Sequence, residues 1–279
     1  MKKHVCFFVV VFTLLVGIIG VSPVQADELQ PLPPEPQKIT FKAEDGMELQ
    51  GLYFPGAHNP SPMLVLMHWV GGDMSDWYEI AYWIQNRGGK SPEKVDLPWR
   101  DSSWFPVQES DDSWGVFIFT FRDCEGGCKQ MSTAILKNWL KDAKAAVFKA
   151  HELEGVDPNM IITAGASIGA DAAVDACYLL NEKFSGACRG AFPISPGSYL
   201  TLPFGDMVKK LGSLKPATSV KCLYSEQDEE SAKVAKPLKE KNYIKLEYAG
   251  KRHGMSLIGP KVKPVVLSEL KGFLDALNK

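Results

Sequence analysis

The sequence holds one serine framed by glycines at a spacing that suits nucleophilic chemistry, Gly165-Ala166-Ser167-Ile168-Gly169. Ile161-Ile162-Thr163-Ala164, a run of β-branched and small residues, leads into it, and Ala170-Asp171-Ala172-Ala173-Val174-Asp175-Ala176, good helix material, follows. In a strand–turn–helix setting, Gly-x-Ser-x-Gly carries a serine at the tip of a strained turn, with its hydroxyl pointing away from the sheet. Side chains at positions 165 and 169 would collide with the neighbouring strand and helix. The Ile168 N–H and the start of the helix face the same space and suit a developing oxyanion. The plainer alternative is a Gly/Ser turn in which Ser167 only caps a helix. The rest of the chain decides between them.

A serine of this kind needs a base and an acid, and these must arrive on loops at one edge of a sheet. Lys38–Lys42 and Met47–Tyr53 alternate around the turn Ala43-Glu44-Asp45-Gly46 and predict an antiparallel hairpin. The pattern then changes to continuous apolar runs, Met63–Met67 and Trp114–Phe121, as expected of strands buried on both faces. Further strands are predicted at the run before Ser167, at Gly190–Ser195, Ser219–Tyr224 and Tyr243–Tyr248. Helical spacing covers Ser75–Asn86, Thr133–His151, Ser167–Asn181, a short piece at Val208–Leu211, Glu229–Lys241 and Val262–Leu277, and Val156-Asp157-Pro158-Asn159 reads as a turn into the serine strand. Strands alternating with helices imply an α/β fold with a mostly parallel sheet covered on both faces.

The amino terminus carries Lys2-Lys3, an uncharged apolar run from Val5 to Val21, and the small-residue pattern Val24-x-Ala26. This reads as a secretory signal peptide over residues 1–26, with an uncleaved membrane anchor as the alternative. Cleavage removes two lysines and no acid, so the net charge passes from −2 to −4. No Lys/Arg block remains, which argues against a nucleic-acid or anionic-surface partner. No stable membrane insertion is expected after cleavage. Residues 27–37, with Pro31, Pro33, Pro34 and Pro36, read as an extended leader, and the folded domain is expected over 38–279. Export permits disulfides. The mature chain keeps five cysteines, and proximity favours Cys124–Cys128 and Cys177–Cys188, with Cys222 buried and free. Cys124-x-x-x-Cys128 without a nearby histidine is a poor zinc signal, and no metal is expected.

Residues 88–113 fit no strand or helix unit. Three prolines and the aromatics Trp99, Trp104 and Phe105 lie in this segment, and disordered segments are poor in aromatics. It reads as a partly ordered flap over the site whose aromatics line the substrate pocket, against the alternative of a purely structural excursion.

With the serine turn, the strand pattern and the order of candidate residues in view, the chain from Lys38 onward resembles the α/β-hydrolase superfamily, most closely its dienelactone-hydrolase-like and small serine esterase branch. The resemblance implies the α/β-hydrolase fold, a mostly parallel central sheet of about eight strands, with active residues on loops at the carboxyl ends of the strands. It implies Ser167 as nucleophile, and an acid in Tyr224-Ser225-Glu226-Gln227-Asp228-Glu229-Glu230, where Asp228 matches the family position and Glu226 and Glu229 are rivals. His253, in Gly250-Lys251-Arg252-His253-Gly254-Met255, becomes the base, since of the mature histidines His58, His68, His151 and His253 only this one lies in a loop the fold brings to Ser167. Met67-His68-Trp69-Val70-Gly71-Gly72 resembles the family's oxyanion loop, with Trp69 where glycine is usual. It offers Val70 N–H as partner to Ile168 N–H and Trp69 as a pocket residue, and leaves His68 a structural role. The implied function is a secreted or periplasmic serine hydrolase acting on a small-molecule carboxylic ester without a cofactor. Serine in place of the cysteine of dienelactone hydrolases proper favours ordinary esters. A peptidase or thioesterase using the same three residues, or a non-catalytic hydrolase-fold binding protein, is the alternative. Oligomeric state is not legible.

Overall fold

The computed structural model describes Met1 and residues 32–87, 96–108 and 113–278. Residues 2–31, on which the expected signal peptide and the first part of the expected leader fall, and two stretches of the expected flap, 88–95 and 109–112, lie outside the described residues. Eight strands follow one another as β1 (Gln37–Lys42), β2 (Glu48–Phe54), β3 (Ser61–Met67), β4 (Gly115–Phe119), β5 (Val156–Ala166), β6 (Cys188–Ile194), β7 (Ser219–Ser225) and β8 (Tyr243–Tyr248). They form one sheet in the order β1-β2-β4-β3-β5-β6-β7-β8. β2 runs antiparallel to both β1 and β4, and every other pair is parallel. The helices are α1 (Tyr78–Ile84), α2 (Thr133–Glu152), α3 (Ile168–Lys183), α4 (Phe204–Ser213), α5 (Glu229–Ala235) and α6 (Val266–Leu277).

The sheet separates two cores, and the period of two along each strand sorts residues between them. On β3, Met63, Val65 and Met67 join Trp139, Ala143, Ala172 and Phe204 from α2, α3 and α4. Leu64 and Leu66 join Ile80, Trp83, Leu267 and Leu270 from α1 and α6. That is why β3 and β4 are apolar throughout rather than alternating. Behind β4, Arg122 donates from Nε to both carboxylate oxygens of the buried Asp142, at 2.9 and 3.0 Å, and from Nη1 to Asp45, at 2.8 Å. The indole N–H of Trp139 donates to the Arg122 carbonyl at 3.0 Å. The chain leaving β4 is thereby tied to α2 and to the β1–β2 turn.

Several boundaries differ from the sequence reading for local reasons. The helix expected over Ser75–Asn86 is a 3-10 turn, Met74–Trp77, followed by α1. The turn expected at Val156–Asn159 is instead the first part of β5, which pairs at Val156 with Ser61 and shifts register before Ile161 pairs with Met63. α5 stops at Ala235, because Pro237 has no N–H to extend the ladder. α6 begins at Val266 rather than Val262, because Pro264 biases the preceding residue away from helix. α4 is longer than the short piece expected, Phe204–Ser213. The described part of the leader is not loose: Arg87 donates to the Pro34 carbonyl.

Both expected disulfides are present. Cys124–Cys128 closes a short loop after β4, and Cys177–Cys188 ties α3 to the start of β6. Cys222 is free and fully buried on β7, where burial pushes its thiol up to about 12. The Cys177–Cys188 bridge constrains the longer loop of the unfolded chain. Replacing that pair by serine is expected to lower stability in urea denaturation by about 2–3 kcal/mol, more than the same change at Cys124 and Cys128. Equal losses for the two pairs would contradict this loop-length argument.

Candidate active site

The site is built where β5 ends and α3 begins. Ser167 sits between them at φ 55 and ψ −118, a region that costs a non-glycine residue about 1–3 kcal/mol. Its own N–H donates to the Ile194 carbonyl of β6 at 2.9 Å, and its carbonyl accepts from Ala170 N–H at 2.8 Å. The two flanking glycines are required by close approach. A Cβ on Gly165 would lie 2.1 Å from the Gly169 carbonyl oxygen, and one on Gly169 would lie 2.2 Å from the Met67 carbonyl oxygen. The end of β3 therefore crosses directly over the turn. Ile168 opens α3, so its N–H is one of the first four that find no acceptor within the helix.

Ser167, His253 and Asp228 form one hydrogen-bonded line. Ser167 Oγ lies 2.8 Å from His253 Nε2, and His253 Nδ1 lies 2.7 Å from Asp228 Oδ2. The serine is 4% exposed and the imidazole is partly open. Asp228 also accepts from Ser231 Oγ at 2.7 Å. The histidine's loop is stapled on both sides: His253 N–H donates to Ser256 Oγ at 3.0 Å, and Ser225 Oγ donates to the Arg252 carbonyl at 2.7 Å. Of the acids weighed for this position, Asp228 reaches the imidazole. Glu226 accepts from Gly250 N–H at 3.3 Å, and Glu229 opens α5. Of the other mature histidines, His151 stacks on Phe184 at the end of α2 and His58 lies in the loop before β3.

His68 is fully buried at the end of β3. Phe121 N–H donates to its Nε2 at 3.0 Å, so the ring proton is on Nδ1, which donates to the Trp69 carbonyl at 2.7 Å. Burial lowers its pKa to about 4, which keeps the ring neutral. The Trp69 carbonyl also accepts from Gly72 N–H at 3.3 Å. In a trans peptide the carbonyl and the following N–H point in opposite directions, so these bonds also set the direction of the Val70 N–H. The Cys124–Cys128 loop supports the same strip: Cys128 N–H donates to the Val70 carbonyl at 2.9 Å, and Gly126 N–H to Asp73 Oδ2 at 2.8 Å.

The aromatic residues expected in the pocket separate into two groups. Trp69 is at the site: a Cβ on Gly254 would lie 3.1 Å from its ring and 3.5 Å from the Ser167 Cβ. Trp99, in a 3-10 turn over Pro98–Arg100, meets Trp69 edge-to-face with ring centroids 5.6 Å apart. Trp104 and Phe105 pack on each other at 4.9 Å, and Phe105 on Trp83 of α1 at 6.1 Å. In the described part of the flap, Trp99 is a buried member of the core cluster of α1 and α6 and reaches the site only through its contact with Trp69, and Trp104 and Phe105 pack on the outside of that cluster.

Four neighbours escaped the sequence reading. Asp76, 1% exposed, accepts from the indoles of Trp69 and Trp99 and from Arg100. It had been absorbed into an expected helix, and its sequence neighbours carry no sign of its contacts. Asp171 on α3 is buried and receives backbone N–H groups of the loop after β6, among them Gly197 at 3.3 Å and Tyr199. Burial raises its carboxyl to about 7. Asp175, one turn on, is also buried, and burial holds its carboxyl well above the usual range. Two carboxylates four apart in an alanine-rich helix were a visible signal. The loop that Asp171 pins brings the fourth, Tyr199, edge-on to His253 at 6.0 Å, with its hydroxyl donating to Glu230 at 2.8 Å. Among the described residues no group of three His, Cys, Asp or Glu side chains is placed to hold a metal ion, and no helix is long and apolar enough to cross a membrane.

Gly165→Ala is expected to destabilise the protein by more than about 3 kcal/mol in chemical denaturation, since backbone lies where the methyl must go. A loss below 1 kcal/mol would show that the turn can relax.

No protein-family profile matches the chain. The uncharacterized protein YfhR of Salmonella typhi is 25% identical over 154 residues, which cover 53% of this chain and 43% of that protein. The quorum-quenching protein AidA of Acinetobacter baumannii is 25% identical over 203 residues, covering 69% of this chain and 58% of that one. The chain therefore spans about half the length of the curated relatives it matches. Among solved structures, an esterase of Pyrobaculum calidifontis superposes with a TM-score of 0.58 at 15% identity, covering 88% of this chain and 87% of that one. With the sheet order β1-β2-β4-β3-β5-β6-β7-β8 and the serine turn between β5 and α3, this likeness establishes that the chain has the α/β-hydrolase fold.

Proposed function

We propose that this chain is a serine hydrolase that cleaves a small carboxylic ester through an acyl-enzyme on Ser167. The observation that carries the reading is the unbroken line from Ser167 Oγ through His253 to Asp228, mounted on a strained turn at the carboxyl edge of the sheet. Neutral His253 takes the hydroxyl proton on Nε2 as Oγ attacks the ester carbonyl. Asp228 accepts from Nδ1, holds the imidazole in the required tautomer and stabilises its charged form. The N–H groups of Ile168 and Val70 receive the developing oxyanion, each contributing about 3 kcal/mol to lowering the barrier. His253 then gives its proton to the leaving alkoxide. In the second half it draws a proton from water, hydroxide attacks the acyl carbon, and Ser167 leaves with the proton restored. Nothing in this cycle calls for a metal or an organic cofactor.

The structural likeness to esterases supports ester cleavage as the reaction. Trp69 and Trp99 are the proposed pocket walls. We assign the chain to an extracytoplasmic compartment, a reading supported by the two disulfides and by the sequence of residues 1–26.

A fluorophosphonate probe is expected to label Ser167 and no other serine, and the mature chain is expected to hydrolyse p-nitrophenyl esters. Label found elsewhere, or none on folded protein, sinks the reading; a thioester or peptide preferred to every ester replaces it with the alternative chemistry. Asp228→Asn is expected to lower kcat by about 10^4-fold with the fold intact, because the wrong tautomer of His253 is then favoured. Glu226→Gln is expected to do far less, and the reverse order would reassign the acid.

A further inference from the structure

Asp76 joins three segments that are distant in sequence. Its Oδ2 accepts from Trp69 Nε1 of the β3 loop at 2.9 Å. Its Oδ1 accepts from Trp99 Nε1 of the flap at 2.9 Å and from Arg100 Nε and Nη2 at 2.9 and 2.6 Å. The carboxylate reaches the loop only because Gly72 lacks a side chain: a Cβ there would lie 1.8 Å from Asp76 Oδ2. A buried carboxylate is costly unless paired and hydrogen-bonded, and here two indoles and a guanidinium satisfy it. In return, Trp69 cannot turn without taking its N–H from Oδ2, and Trp99 cannot turn without taking its N–H from Oδ1, which Arg100 also holds.

The consequence falls beside the nucleophile. The Trp69 ring shares the space around Gly254 with the Ser167 side chain. Trp99 stands edge-to-face against Trp69, so the two rings held by one carboxylate also pack on each other. We propose that Asp76 is a positioning residue for substrate selection: it locks Trp69 and Trp99 as a rigid aromatic wall beside Ser167, so that the site accepts short, acetyl-sized acyl groups and rejects long ones. This rests on the serine hydrolase reading above and adds to it the acyl class and the residue that sets it. Asp76 touches neither substrate nor reacting atoms; it acts through the two indoles.

Asp76→Asn separates this role from bulk packing. The amide is the same size, and its oxygen remains for Trp99 and Arg100, which leaves its NH2 group facing the Trp69 N–H. Trp69 is then released. The measurement is kcat/KM for p-nitrophenyl acetate, butyrate and octanoate, with fluorophosphonate labelling of Ser167 run alongside. The wild type is expected to prefer acetate. Asp76→Asn is expected to lower the acetate-to-octanoate ratio by about tenfold or more, largely through KM for octanoate, while labelling of Ser167 persists. Trp69→Phe keeps an aromatic ring but has no N–H for Asp76. It is expected to shift the ratio the same way, and it carries the test if Asp76→Asn does not fold. A readout independent of turnover is the indole Nε1–H resonance of Trp69, assigned by its absence in Trp69→Phe. It is expected far downfield in the wild type and shifted upfield in Asp76→Asn. A labelled, active wild type whose ratio is unchanged in both variants overturns the assignment of Asp76 and leaves the hydrolase reading standing. A wild type that prefers octanoate overturns it as well. A folded wild type that takes no label and cleaves no ester overturns both.

Discussion

The geometry around Ser167 depends on one backbone contact. The end of β3 passes over the turn between β5 and α3 so closely that Met67, Gly165 and Gly169 meet backbone to backbone. That contact holds Ser167 at a φ it would otherwise leave, and so fixes where its hydroxyl points. It also sets the strand after which the Trp69 loop must begin. A single crossing thereby places both the hydroxyl and the loop that faces it.

Around this crossing the fold spends its polar groups on orientation. His68 is kept neutral between Phe121 N–H and the Trp69 carbonyl. Asp171 gathers the N–H groups of the loop that brings Tyr199 to His253. Ser256 and Ser225 fasten the His253 loop, and Ser231 shares the carboxylate of Asp228. Each is a buried or half-buried hydrogen bond from a side chain to a loop that regular secondary structure does not fix. Loops at the carboxyl ends of strands have no ladder to hold them, so their precision comes from such bonds. The proposed function draws on that precision, because proton transfer along Ser167, His253 and Asp228 requires hydrogen-bond distances at both steps.

Asp76 belongs to the same pattern but serves a different loop. The described part of the flap has two short 3-10 turns and is held by Trp99 and Arg100 on one carboxylate, by the Trp83 indole N–H on the Pro106 carbonyl, and by Phe105 on the outer core. The flap aromatics all join the hydrophobic cluster of α1 and α6, Trp99 as a buried member and Trp104 and Phe105 packed against it, and Trp99 in addition meets Trp69 edge-to-face. The hold of one carboxylate on both Trp69 and Trp99 is the physical basis for the selectivity proposed for Asp76.

By itself the sequence determined the kind of fold and offered the candidates at its centre. Continuous apolar runs pointed to strands buried on both faces, and Gly165 and Gly169 pointed to a turn with no room for side chains, as the structure has them. The short spacings of Cys124–Cys128 and Cys177–Cys188 made those pairs the natural ones. Local signals sufficed there because the constraint acts within a few residues, and helix ends were misjudged by a few residues where Pro237 and Pro264 interrupted the pattern. The family position already favoured Asp228 over Glu226 and Glu229, and tertiary structure showed that it is the acid whose carboxylate meets His253. Tertiary structure alone brought Trp99 against Trp69. It alone revealed Asp76, whose partners Trp69, Trp99 and Arg100 lie 7 to 24 positions away. A buried carboxylate leaves no periodic trace in a sequence, because what stabilises it is not its neighbours in the chain but the donors that folding brings to it.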